Sequence, residues 1–308
     1  MTAYIARRVL LFVPVLLCIA VLSFFLVRGA PGSPFSSEKN ISEETLVALN
    51  AEYGFDKPLP VQLGMYLRNL ARGNLGRSLH YRDRTVNDII GQALPVSVKL
   101  GLFALIISLA AGVPLGVVSA WRSNTAIDYA AMTVALIGIS VPSFVLASLL
   151  VLVFCFLVPL FPAVGMGGPL SMVLPAATLS APFIAYVSRI TRGSMLETLS
   201  QEYIQTARAK GASTVSVLFT HGLKNGIIPV ITFLGPATAG ILTGSVVVEK
   251  IFAIPGLGIN FIHSALHRDY FLAIGCALVY GALLMTLNLV SDILYGVVDP
   301  RISYDRKK

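Results

Sequence analysis

Charge is scarce in this chain: 12% of its 308 residues are Asp, Glu, Lys or Arg, against about a quarter in an ordinary soluble domain. Positions 129 to 188 contain none. With 56% hydrophobic residues and a mean hydropathy of +0.79, these shortages exclude a water-soluble globular domain and define an all-α polytopic membrane protein. There is no GxxxxGK[ST] loop to cradle nucleotide phosphates and no HExxH helix for zinc hydrolysis. A chain so equipped is not an enzyme, and energy from ATP must come from a partner. Cys18, Cys155 and Cys276 lie singly in apolar runs without CxxC spacing; they read as small buried hydrophobes, and no disulfide framework or metal site follows. Ionisable groups deep in the spans, which an ion-coupled carrier would use, are almost missing. Asp292 is the nearest candidate, beside Asp299 and Arg301 near the end of the last run, where capping or pairing is the favoured role.

The net charge of +8 comes from Lys and Arg gathered beside apolar runs rather than in a stripe, which fits membrane orientation and not nucleic-acid binding. The first run, Val9 to Val27, lies between Arg7-Arg8 and Arg28 and is long enough for a retained signal anchor; Pro14 is tolerable inside it. Gly29, Pro31, Gly32 and Pro34 then break the helix. Ser42 followed by Glu43 and Glu44 predicts a capped helix. A second helix is predicted after Pro60, with Leu63, Leu67 and Leu70 on one face and Gly73 and Gly76 at its end. This segment reads as an amphipathic cap, being too small to enclose a ligand unaided. Further spans are expected at Leu100 to Ala120, closed by Trp121 and Arg122, at Tyr129 to Val158 and Leu170 to Ser188, at Gly226 to Val248, and at Tyr270 to Ser291. Pro159, Pro162, Gly165, Gly167, Gly168 and Pro169 form the turn of the uncharged hairpin. Six transmembrane helices result.

Basic residues beside short loops set the orientation. With the N-terminus inside, Arg7, Arg8, Arg122, Arg189, Arg192, Arg208, Lys210, Lys224, Arg301, Arg306, Lys307 and Lys308 all fall in the cytoplasm. The basic residues between 29 and 95 then lie outside, as long translocated segments are largely exempt from the rule. The polar stretch Glu202 to Val230 becomes cytoplasmic. Its Tyr203, Ile204, Ala207 and Gly211 share a helical spacing that stops at Gly211, and a second helix is predicted near Ser213 with Val215, Leu218 and Phe219. Small residues at Ala207, Ala209, Gly211 and Ala212 would permit close approach of another backbone. From these residues alone, a knob for a soluble partner and a helix lying flat on the inner leaflet both remain open.

The stretch resembles the EAA loop of ABC-importer permeases, with Gln205, Thr206 and Ala207 in the EAA positions. Ala207, Gly211 and Leu223 match that pattern strictly, whereas Gln205, His221 and Lys224 replace its Glu, Ile and Pro. TARAKGA followed by HGLKN and IIPV is similar to the variant of the dipeptide and oligopeptide permeases, B-type subunit, where those replacements are usual. VRGAPGSP, YGFDKPLPVQ, LARGNLGRSL, VEKIFAIPGLG, HRDY and LYGVVDPRISY, in order along nearly the whole chain, resemble the same family.

The resemblance implies a type I ABC importer permease fold with a cytoplasmic coupling helix. It implies four parts: an N-terminal tip and first helix at 1–28, an extracytoplasmic segment at 29–96, a permease core at 97–300 with its EAA loop at 202–225, and a tail at 301–308. Partners would be a homologous second permease, two cytoplasmic ABC ATPases that bind the ATP and Mg, an extracytoplasmic binding protein, and membrane lipid. The chain itself would need no cofactor. The coupling loop would comprise Glu202, Tyr203, Gln205, Thr206, Ala207, Arg208, Lys210, Gly211, Ala212, Leu218, His221, Leu223 and Lys224. Ala207 and Gly211 would let the helix seat in the ATPase groove, with Arg208 and Lys210 meeting the partner or lipid phosphates. Closure of the ATPases would swing the spans from inward-open to outward-open. Glu249, Lys250, His263, His267, Arg268 and Asp269 are candidates for docking the binding protein, against plain loop solvation. Pro142, Pro175, Pro182 and Pro229, with Ser140, Ser143, Thr178 and Ser180, are expected to bend helices near the pathway. IPGLG at Ile254 to Gly258 is a turn and not a nucleotide fingerprint, because no strand precedes it. Dipeptides, longer peptides, glutathione and nickel are the substrates the resemblance leaves open. A self-sufficient secondary carrier or channel is the alternative of a different class.

Overall fold

A computed structural model describes residues 2–30, 35, 42–81, 83–163, 165 and 167–298. Pro31, Gly32, Pro34, Asp299, Arg301 and the proposed tail at 301–308 lie outside the described residues. Among those described, the chain is helical, with one isolated bridge between Arg77 and Thr85. The helices are α1 Thr2–Gly29, α2 Glu43–Glu52, α3 Leu59–Leu70, α4 Val86–Trp121, α5 Ala126–Ser140, α6 Ser143–Val151, α7 Val173–Leu199, α8 Glu202–Ala209, α9 Leu223–Gly226, α10 Ile228–Ile251, α11 Leu257–Leu266 and α12 Tyr270–Val298. Four stretches are long and apolar enough to cross a membrane: Ile5–Gly29, Val86–Trp121, Leu170–Leu199 and Tyr270–Leu294. Two bent pairs bring the total to six.

The bends have local causes. Tyr129 to Val158, expected as one span, is two helices meeting at 103°. Pro142 has no N–H to continue α5 and forces the preceding residue out of helical geometry, and Val141 is indeed extended at φ −88°, ψ 122°. The span expected from Gly226 is likewise preceded by a 54° bend, with Pro229 in the first turn of α10. At the other end of the chain, α4 starts well before the expected span. A capping box starts it: the Thr85 hydroxyl accepts the Asp88 N–H at 3.1 Å while an Asp88 carboxylate oxygen accepts the Thr85 N–H at 3.2 Å. The last part of the 29–96 segment is therefore continuous with a membrane span.

Two compact units divide the chain, one comprising Thr2–Ser97 and Pro255–Met285, the other Val98–Ile254 and the described residues from Thr286. In the first, Ser42 caps α2 by accepting the Thr45 N–H at 3.2 Å. Leu63, Leu67 and Leu70 of α3 pack on a core of Ala20, Phe24, Tyr66, Ile274 and Leu278. Tyr53, Phe55, Tyr66 and Phe271 stack in a cluster with centroids 6.0 to 6.4 Å apart, and the Arg28 guanidinium lies 4.6 Å from the Phe55 ring. Burial pushes the Tyr66 phenol above its ordinary range, so it stays neutral. Asp269 organises the corner from inside. It accepts hydrogen bonds from the Ser78 hydroxyl, from the His80 N–H at 3.4 Å and from the Leu272 N–H at 3.2 Å. Gly76, at φ +99°, passes so close to Phe271 that an added Cβ would sit 3.2 Å from its ring. The segments GFDKPLPVQ, RGNLGRSL and HRDY, distant in sequence, thus meet in one packed corner.

In the second unit α7 is the centre, with Leu174, Ala176, Thr178, Leu179, Ala185 and Val187 among its buried residues. Small residues let neighbouring backbones approach it: a Cβ on Gly116 of α4 would lie 2.5 Å from the Ser188 carbonyl, and one on Gly138 of α5 would lie 2.6 Å from the Ala181 carbonyl. Thr178 and Ser180 are buried in this packing and bond to carbonyls of their own helix.

Candidate coupling loop and the permease family

α7 ends at Leu199 and the chain re-enters helix at Glu202, whose carboxylate suits the positive N-terminal end of α8. One side chain of α8, Ile204, is fully buried and roots the helix. Glu202, Tyr203, Gln205, Thr206, Arg208 and Lys210 are exposed, while Ala207 is half-buried. The helix stops where the sequence predicts. The Gly211 N–H bonds the Arg208 carbonyl at 2.9 Å and the Ala212 N–H reaches back to the Ala207 carbonyl at 3.1 Å. That is a Schellman cap, and it requires the left-handed φ of +82° that Gly211 adopts. Nothing lies within 4 Å of where a Gly211 Cβ would be. Inside this chain Gly211 therefore serves conformation, and the space beside it is open.

Ser213 starts the return path, its hydroxyl accepting the Ser216 N–H at 3.3 Å. The helix expected there is a widened π-helix, Ser216–Gly222, running directly into α9. Leu218 turns inward onto Val117, Ala120 and Met195. Gly222 and Gly226 bring the return path against Met195 of α7, whose sulfur would stand 2.7 Å from a Cβ on Gly226. Asn225 donates to the Tyr203 hydroxyl at 2.9 Å, closing the loop on itself. His221 and Leu223 are half-buried, Lys224 exposed. Outward-facing apolar side chains remain: Tyr203, Val215 and Phe219 are 41%, 66% and 51% exposed. Arg208 and Lys210 are exposed on the same loop, so its outward groups are both apolar and cationic.

The residues considered for docking a binding protein separate. Glu249 is fully buried on α10 and accepts a hydrogen bond from Ser245 at 2.8 Å. Asp269 is spent inside its corner. Neither is a surface group in this chain. His267 is exposed and stacks on His80 with centroids 4.3 Å apart; His263 and Arg268 are half-buried.

One constellation escaped sequence reasoning. Asp128, in the first turn of α5 and 2% exposed, grips Arg192 of α7 with both carboxylate oxygens, Nε and Nη2 each at 2.7 Å. It also accepts the Ser119 hydroxyl of α4 and the Asn124 N–H at 2.9 Å. A signal was available. Asp128 borders the uncharged run on one side and Arg192 lies just beyond its other border, and a hairpin returns its two ends to one side.

The helical, multi-span architecture with a rooted loop between spans is that of a polytopic membrane protein, and its fold resembles that in the solved structure of inward-facing conformations of the MetNI methionine ABC transporter, with a TM-score of 0.55 at 15% identity over 68% of this chain and 96% of that one. Residues 112–304 match the family described as binding-protein-dependent transport system inner membrane component, and residues 1–101 match its N-terminal companion. The chain belongs to this family. It is 42% identical to the oligopeptide transport system permease protein OppB of Haemophilus influenzae and 44% identical to that of Salmonella typhimurium, each over 99% of this chain and 100% of the relative. It is also 42% identical to the dipeptide transport system permease protein DppB of Bacillus subtilis over the full length of both. It is accordingly a multi-pass inner-membrane permease subunit of a binding-protein-dependent importer.

Proposed function

We infer that the chain forms half of the pathway of an ATP-driven importer that brings dipeptides or short oligopeptides into the cytoplasm by alternating access. The observation that carries this reading is the loop: it is rooted through Ile204, Leu218 and Met195 yet presents Tyr203, Val215 and Phe219 outward. Leaving such side chains in water is unfavourable by about 25 cal/mol per Å² of apolar surface, so a protein surface that covers them gains. Two cytoplasmic ABC ATPases, which hold the ATP and Mg, are the partners proposed for it. The N- and C-termini and this loop share the cytoplasmic side. A homologous second permease completes the pathway, and a binding protein delivers substrate from the opposite side, where His267 and its neighbours offer the exposed groups. The names of the relatives supply the peptide class. Glutathione and nickel remain substrates to be tested beside peptides.

The test is reconstitution. The chain alone in liposomes should hydrolyse no ATP and take up no Ala-Ala or tri-alanine. With the second permease, the ATPases, the binding protein and ATP, uptake should appear. Proton-driven uptake by the chain alone would overturn the reading in favour of a secondary carrier.

A further inference from the structure

The Asp128 carboxylate accepts from three elements at once: Ser119 of α4, the Asn124 N–H of the turn that follows, and the Arg192 guanidinium of α7. That is more than capping α5 requires. The turn is shaped for this grip, since Asn124 takes a left-handed φ of +60° and the Thr125 hydroxyl donates to the Arg122 carbonyl at 2.5 Å. Arg192 shares α7 with Met195, and Met195 is the residue on which Leu218, Gly222 and Gly226 of the loop's return path rest. On the far side, α5 runs from Asp128 straight to the break at Val141-Pro142, where the chain bends by 103°. A continuous set of contacts therefore joins the exposed loop to the bent span, and the bidentate ion pair lies on it. Further along, Gly138 of α5 packs closely on the Ala181 backbone of α7, an approach without a hydrogen bond or charge. The guanidinium fork adds a directional contact, which fixes the orientation of α5 on α7 at this point.

We propose that Asp128 and Arg192 are positioning residues for transport, the joint through which displacement of the coupling loop is carried to the bent α5 and α6 span. This rests on the reading of the loop as the place where the ATPases act. A pair serving only to hold the fold would, when broken, lower assembly, hydrolysis and uptake together. A joint, when broken, leaves the loop able to meet the ATPases but loses the linkage, so hydrolysis continues and uptake fails.

The test uses the complete importer in proteoliposomes with its binding protein, and Ala-Ala and tri-alanine as probes. In Asp128→Asn and in Arg192→Lys, the ATPases should still co-purify and hydrolysis should stay within about twofold of the parent. Peptide taken up per ATP hydrolysed should fall about tenfold or more. Ser119→Ala, which keeps the ion pair, should lower that ratio by about twofold and serves if the charge variants do not accumulate. An unchanged ratio, or a parallel loss of hydrolysis and uptake, would overturn the joint. A second measurement needs no partners. With the three cysteines replaced, spin labels at Gln205 and Leu149 of the isolated chain should give a distance distribution that broadens at least twofold in Asp128→Asn. An unchanged distribution would overturn the joint whatever the transport result. Failure of the broader reading shows separately, as absence of ATP-dependent uptake by the parent complex.

Discussion

The corner around Asp269 and the loop from Glu202 to Lys224 are built from similar materials and point them in opposite directions. Each is short, carries segments that the family resemblance singles out, and uses a left-handed glycine to turn. In the corner, Tyr53, Phe55, Tyr66 and Phe271 face one another, and the buried Asp269 carboxylate is consumed by donors from the same chain. In the loop, Tyr203, Val215 and Phe219 face away, while Ile204, Val217 and Leu218 turn in. The corner has its partners within the chain. The loop leaves its three outward side chains uncovered by its own chain. A motif shared across a family can thus encode self-packing or partner contact, and the direction of its apolar side chains tells which.

Within the corner, Asp269 is the most sensitive position. Asp269→Ala would leave the Ser78 hydroxyl and the His80 and Leu272 N–H groups without their acceptor. Burying unsatisfied donors costs about 1–3 kcal/mol each, so a total loss of about 3–5 kcal/mol is expected after relaxation. Thermal unfolding in detergent should show it, and a shift equal to that of an exposed-site variant would remove Asp269 from its organising role. Glycine substitutions sharpen the contrast. Gly76→Ala combines a left-handed backbone with the Phe271 ring 3.2 Å away and should cost about 2–3 kcal/mol. Gly211→Ala meets the same backbone strain but open space and should cost about 1–2 kcal/mol. Gly211→Asn, tolerated in left-handed caps, should cost less still. The order of the three in unfolding measurements is the expected outcome. Gly211→Asn as damaging as Gly76→Ala would contradict the distinction between a filled corner and an open loop.

Much of this was legible from the chain. The uncharged stretch from 129 to 188 announced paired spans, Ser42 with Glu43 and Glu44 announced α2, and Gly211 announced the end of α8. What stayed hidden depended on pairing across distance. Thr85 and Asp88 form a capping box four positions long, yet an apolar window that opens only at Leu100 conceals it. Pro142 was visible and was expected to bend its helix, but a proline alone does not set how far, and the size of the 103° bend came only with the fold. Glu249 and Asp269 sit beside Lys250 and Arg268 in sequence, and only packing reveals that both carboxylates are buried. Asp128 and Arg192 are separated by the whole uncharged hairpin, so each looked like a border charge until the fold joined them.

Phe219→Arg tests the central claim most directly. In the isolated chain the side chain is half-exposed and outward, so the substitution should change thermal stability by no more than about 0.5 kcal/mol. In the assembled importer it places a charged group where the account puts the covered apolar face, and the amount of ATPase retained when the complex is purified through this chain should fall at least tenfold. Retention of the ATPases at the parental level, with the chain equally stable, would contradict the assignment of this surface to the ATPase partner.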